Sequence, residues 1–182
     1  TANGRIVYEG HGIQPDVKIE PEMLSTITAH LYAQNMIFKY ANKFYREHKT
    51  IASPDKFEIT DEIYNDFVKF VESQDFKYTS ESEKDFDELV KTATTEGYYD
   101  NIKEQLGLLE EELKSHKDND LVNNKKEISD ILKMEIVSRY YFQKGRIISA
   151  LNDDTELKRA VEILLNSNGK NEYETILKGI NN

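Results

Sequence analysis

The chain has 182 residues with 34 acidic against 24 basic side chains, a formal charge of −10 and a charged fraction of 32%. That field repels nucleic acid and anionic lipid, and the lack of cysteine excludes disulfides, a thiolate nucleophile and a thiolate zinc site. No run approaches the roughly 20 apolar residues of a membrane helix, while 11 Tyr and 8 Phe supply bulky anchors for a folded chain with solvated helix faces.

Residues 1–20 differ from everything after them. Gly4-Arg5 marks a turn, Ile6-Val7-Tyr8 a short strand, Gly10-His11-Gly12 a flexible crossing and Val17-Lys18-Ile19 an alternating apolar-polar-apolar strand. Two strands this short leave both edges unpaired and make no stable sheet alone, so they need partners from elsewhere. Glu20-Pro21-Glu22 then reads as a helix start, since proline is tolerated in a first turn and acids favour the positive end of the helix dipole.

From Met23 to His48, Leu24, Ile27, Leu31, Met36, Ile37, Tyr40, Ala41, Phe44 and Tyr45 form a broad apolar stripe that must be covered. Its spacing slips at Ala33-Gln34-Asn35, which predicts a kink or a break. Thr50 to Lys56 is a connection and Phe57-Glu58-Ile59 an extended stretch. Thr60 caps a helix with Asp61 and Glu62 in its first turn and Ile63, Phe67, Phe70 and Val71 on its inner face. After the link Asp75 to Tyr78, Ser80 and Glu83 have the spacing of a capping box, opening a helix with Phe86, Leu89, Val90 and Ala93 inside and Gly97 at its stop.

Tyr99, Ile102, Leu106, Leu109 and Leu113 alternate steps of three and four, the seam of a helix lying along another at a shallow angle. Ser115 to Asp120 turns the chain into a second long helix from about Leu121 to Leu151, and these two helices are expected to form an antiparallel hairpin. Its apolar positions are Ile128, Ile131, Leu132, Met134, Ile136, Val137, Tyr141, Ile147 and Ile148. Gly145 inside it predicts a close approach or a bend. Asp153 with Glu156 offers a second capping box before Leu157, Ala160, Val161 and Leu164. Ser167-Asn168-Gly169 suits a helix end, and Tyr173, Ile176 and Leu177 suit a last docked helix before a frayed tail from Gly179.

Few residues carry chemistry. Ser53-Pro54-Asp55-Lys56 has the Ser-x-x-Lys spacing of a nucleophile and base one helical turn apart, but its companion motifs are missing and the match reads as coincidence. His11, His30, His48 and His116 have no metal-ligand spacing, and Asp118-Asn119-Asp120 lacks the later glycine and glutamate of a calcium loop. Glu110-Glu111-Glu112 reads as a solvated face, and Gly10-His11-Gly12 is too short for a phosphate loop. No catalytic residue, cofactor or metal is assigned. The densest aromatic and basic cluster is Arg139 to Arg146; in a continuous helix, residues 139, 142 and 146 share one face. Arg139, Tyr140, Phe142 and Arg146 are therefore the candidate docking face, weighed against a purely internal role for these Tyr and Arg side chains.

The Gly4-Arg5 turn, the run Gly12-Ile13-Gln14-Pro15-Asp16 and the closing strand Val17 to Ile19 resemble the end of the protease core in carboxy-terminal processing, or tail-specific, serine peptidases. The run Glu135 to Arg146 is similar to the helical tail of Bacteroides-like envelope members of that family. The resemblance implies that residues 1–20 are the last strands of an incomplete peptidase core, with Gly4, Arg5, Gly12, Ile13, Pro15 and Asp16 in structural roles. Residues 21–182 would be a C-terminal helical domain. It further implies that the catalytic Ser and its Lys base lie upstream of Thr1, so that the parent cleaves peptide bonds and this chain does not. Its partners would be the upstream protease core, and a protein substrate or another subunit. The location implied is the periplasm or cell envelope, with any signal in the upstream part. Overall the expectation is a mainly α fold, a helical bundle with a long helical hairpin, preceded by a short β segment. The alternative from residues alone is a stand-alone helical interaction or scaffold module.

Overall fold

A computed structural model describes residues 15–21, 23–165 and 167–178, with the side chains of all of these but 167–171. The described residues are mainly helical and include no strand: α1 (Thr26–Ala33), α2 (Met36–Glu47), α3 (Asp61–Ser73), α4 (Glu81–Thr95), α5 (Tyr99–Asp118), α6 (Asp120–Asn123), α7 (Lys125–Ala150), α8 (Thr155–Leu165) and α9 (Ser167–Lys178). They fall into two compact units, residues 23–149 and the described residues before 23 together with those from 150 onward. Of the expected β segment, the strand at Ile6 to Tyr8 and the glycine crossing lie outside the described residues. Residues 15–20 are non-helical.

In the first unit the helix expected at Pro21 starts instead at Thr26. Ser25 is its N-cap: the Ser25 Oγ accepts from the Thr28 amide at 3.4 Å, while the Ser25 amide and hydroxyl each donate to Glu127 Oε1 at 3.0 Å. A carboxylate from α7 thus satisfies free groups at the start of α1 and decides where it begins. The break expected near residue 34 is present. Asn35 adopts φ 60°, a left-handed conformation that asparagine tolerates, and separates α1 from α2.

The core joins Ile27 and Leu31 of α1, Ile37, Tyr40, Ala41 and Phe44 of α2, Phe57, Tyr64, Phe67 and Val71, and Ile128, Leu132, Ile136 and Val137 of α7. Leu24 and Tyr45, expected in the stripe, are half exposed. The buried phenols are satisfied: Tyr40 donates to the Ile63 carbonyl and to Asp66 at 3.0 and 2.9 Å, and Tyr64 donates to the Leu121 carbonyl at 2.5 Å. Burial, then Asp66, pushes the Tyr40 phenol up, and burial pushes Tyr64 up to about 12. Lys43, 2.8 Å from Asp66, holds that carboxyl below its usual range. Thr60 caps α3 as its sequence predicts, with its hydroxyl accepting from the Ile63 amide at 3.3 Å.

The long hairpin is present with a different pair of helices. Ser80 and Glu83 form the expected capping box, and α4 ends at Gly97, φ 78°, in a Schellman turn: Tyr98 donates to the Ala93 carbonyl and Gly97 to the Thr94 carbonyl. That reversal lays α5 antiparallel along α4, so the partner of α5 is α4 and not α7. Lys117, near the end of α5, reaches both Glu83 oxygens at 2.8 Å and the Tyr78 carbonyl at 2.5 Å. Burial works against the Glu83 carboxylate, but Lys117 and the Ser80 amide keep its pKa below the ordinary value. None of the main core cluster comes from residues 81–118, and inside the hairpin Ala93 and Leu106 are buried while the expected inner residues Leu89 and Leu109 are largely exposed. The α4–α5 pair is an arm standing apart from the core. Ser115 to Asp120 is helical up to a break at Asn119, and α7 begins at Lys125 after the single turn of α6.

In the second unit, α8 is capped by Asp154, whose carboxylate accepts from the Leu157 amide at 2.8 Å, so the cap lies one residue later than expected and lacks the reciprocal glutamate. Ile163, not Leu164 or Val161, is buried there. The stretch at Ser167 that was expected to end a helix opens α9. A groove of about 950 Å³ is lined by Pro15, Val17 and Ile19 together with Ile163, Tyr173 and Ile176. Arg159 bridges α8 and α9 by pairing with Glu162 and Glu172.

Candidate functional site

Phe38, Asn42 and Tyr45 are spaced so that they share one face of α2. Against it, α7 sets Glu135, Ser138, Arg139 and Tyr140. The Arg139 guanidinium lies 4.8 Å from the centre of the Phe38 ring, donates through Nε to Asn42 Oδ1 at 2.8 Å, and through Nη2 to Glu135 Oε1 at 2.7 Å. Its remaining nitrogen donates to Ser138 Oγ at 2.9 Å. A fork so fully engaged is a strut that fixes α2 on α7. The Tyr140 hydroxyl donates to the His48 carbonyl at 2.7 Å and its ring meets Tyr45 edge-on at 4.8 Å; burial, then the Tyr45 phenol, raises its pKa.

Phe142 is different. Its backbone sits at φ 56° and ψ −157°, a region that essentially only glycine occupies, and its side chain is 75% exposed. Here α7 kinks. Buried Gly145 lies three residues on, and a side chain there would run into Tyr141 and Val137. The bend expected from Gly145 is therefore real but centred on Phe142. It also corrects the expected docking stripe: the backbone leaves helical geometry at 142, so Arg139, Phe142 and Arg146 are not in line on one helix face. Where α2 and α7 meet, Phe38 and Tyr45 are exposed over the part-buried Arg139 and Tyr140, and further along α7 Tyr141 and Phe142 are exposed as well. Lys39 and Arg46 on α2, Lys49 just after it, and Lys144 and Arg146 on α7 are exposed. The contributions of Phe38, Asn42 and Tyr45 were readable only in their i, i+4, i+7 spacing, which the broader core stripe overlay.

The other sequence candidates are dispersed. Ser53 and Lys56 are exposed in a turn, and the Ser53 hydroxyl is engaged by Asp55, holding that carboxyl below its usual range. His30 lies beside Tyr78, and His48 stacks on Phe44 at 4.0 Å. Among the described residues no group of three or more His, Asp or Glu side chains is arranged to hold a metal ion. No helix among them is long and apolar enough to cross a membrane. Pro15 and Asp16 line the groove of the second unit; Gly4, Arg5, Gly12, Ile13 and His11 lie outside the described residues.

The fold and this surface define a helical domain whose best-developed feature is an aromatic and basic face between two helices. Residues 27–164 match the family described as "Probable PDZ-protease, C-terminal helical domain", and the chain belongs to that family. No curated protein and no solved structure matches the chain.

Proposed function

We propose that this chain is the non-catalytic C-terminal helical region of a carboxy-terminal processing serine peptidase of the periplasm or cell envelope. Residues 1–20 close the peptidase core and residues 21–182 form the helical region. The observation that carries this reading is the family match, which runs from residue 27 in α1 to residue 164 in α8. In such a peptidase a serine attacks the scissile carbonyl and a lysine takes its proton; both belong to the core. The helical region supplies a protein-docking surface on α2 and α7, where Phe142, Tyr45 and Arg146 meet the partner and Arg139 and Tyr140 hold the surface in shape.

The test is labelling with a serine-reactive phosphonate. A polypeptide extended upstream through the core is expected to react and to degrade an unstructured protein, while the 182-residue chain does neither. Labelling of this chain, lost on Ser53→Ala, would overturn the reading. In the extended protein, Lys144→Glu with Arg146→Glu is expected to slow degradation without slowing labelling, because the docking surface changes and the nucleophile does not.

A further inference from the structure

Two surfaces of the first unit have apolar centres and charged rims of opposite sign. On the α2–α7 face, residues 38–49 and 139–146 together hold seven basic side chains and one acidic, a formal +6 within a chain of −10. Arg139 and Lys43 are neutralised by Glu135 and by Asp66 with Glu47, but Lys39, Arg46, Lys49, Lys144 and Arg146 have no carboxylate partner among the described residues. The exposed aromatics of these two segments include Phe38, Tyr45 and Phe142.

The α4–α5 arm is the converse. Residues 81–118 hold twelve acidic and five basic side chains, a formal −7. Leu108 is 62% exposed with Glu104, Glu111 and Glu112 one helical turn away, and Leu89 is 46% exposed with Asp85 one turn before it. Nothing of the arm enters the core cluster, and although Ala93 and Leu106 are buried between its two helices, Leu89, Leu108 and Leu109 remain exposed.

We propose that the α4–α5 arm of one copy docks on the α2–α7 face of a second copy, Leu108 and Leu89 meeting the exposed aromatics while the acidic rim meets the basic one. This rests on reading the α2–α7 face as a docking surface and names its occupant. A net field of −10 repels nucleic acid and anionic lipid from the molecule as a whole, whereas the arm brings negative charge and apolar surface together on a helix pair about 30 Å long at 1.5 Å per residue. A two-fold arrangement makes both arm-to-face contacts at once, which brings the buried surface toward the roughly 1,600 Å² of a standard interface.

Sedimentation velocity of the 182-residue chain tests this. Dimers are expected at about 0.05 M salt, with Kd rising about tenfold or more at about 0.5 M as the rims are screened. Face reversal, Lys144→Glu with Arg146→Glu, takes that face from +6 to +2, and arm reversal, Glu111→Lys with Glu112→Lys, takes the arm from −7 to −3, so each should raise Kd about tenfold or more in a chain that stays folded by circular dichroism. Mixed in equal amounts they should pair more tightly than either does alone, since in the mixed pair one of the two contacts joins an unaltered arm to an unaltered face. A chain that stays monomeric at low salt, or dimers indifferent to both reversals, overturns the proposal. If the chain is monomeric yet face reversal still slows degradation in the extended protein, the docking surface stands with another occupant; if degradation is also unchanged, both fail.

Discussion

Phe142 allows a sharp test of backbone strain. At an unstrained helical position glycine is less stable than alanine by about 0.5–1 kcal/mol, because it loses more chain entropy on folding. At φ 56° and ψ −157° any residue with a Cβ carries about 1–3 kcal/mol of strain that glycine escapes. The order should therefore reverse, with Phe142→Gly more stable than Phe142→Ala by about 1 kcal/mol, or about 2–4 °C in Tm for a chain of this size. Both substitutions remove the same ring, which is 75% exposed, so the comparison isolates the backbone. Urea unfolding followed by circular dichroism on the two variants is the assay. Phe142→Ala proving the more stable would refute the strain argument, since that is the behaviour of ordinary helix. A conformation this costly persists only where its surroundings impose it, and three residues on, buried Gly145 packs so closely against Tyr141 and Val137 that no side chain fits there.

Other substitutions test separate parts of the account. Lys133 is 4% exposed and its amine pairs at 2.9 Å with a largely exposed Glu58. Glu58→Ala, which strands a buried charge, should cost about 1–3 kcal/mol in urea unfolding and more than Lys133→Met does. For Tyr64, whose phenol is raised from 10.0 to about 12, the neutral form is favoured in the folded state. Its stabilising contribution is therefore full below pH 10 and is lost as pH rises toward 12, and Tyr64→Phe should flatten the stability profile across that window. Gly97→Ala, at φ 78° with open space around it, should destabilise the α4–α5 turn by about 1 kcal/mol without any clash, read as a lower urea midpoint.

The proposed dimer places function on two features with different structural support. The α2–α7 face is rigidly built: Arg139 spends its hydrogen bonds on Asn42, Glu135 and Ser138 and stacks over Phe38. The arm is held at its base by Lys117 to Glu83 and Tyr78, and by Tyr78 to Asp120, while its apolar tip residues Tyr98 and Tyr99 are exposed. A partner that covers such an arm should order it, which amide exchange along α4 and α5 would register as added protection at concentrations where the chain associates.

What the amino-acid sequence determined by itself is whatever depends on neighbours a few residues away. The hydroxyl of Thr60, the reciprocal pair Ser80 and Glu83, the left-handed Gly97 and the slip at Asn35 each act within one helical turn, so their outcomes were legible from spacing alone. The pattern of Ile128, Leu132, Ile136 and Val137 likewise announced the buried side of α7. Tertiary structure decided the rest, because the deciding groups are distant in sequence. Glu127 selected Ser25 over Pro21 as the start of α1 across 102 residues, the turn at Gly97 gave α5 to α4, and α2 drew Arg139 inward from the face its own helix suggested. The kink at Phe142 had no proline or glycine at its centre to foretell it, and with the contacts of Arg139 and Tyr140 to α2 it broke the stripe expected on one helix.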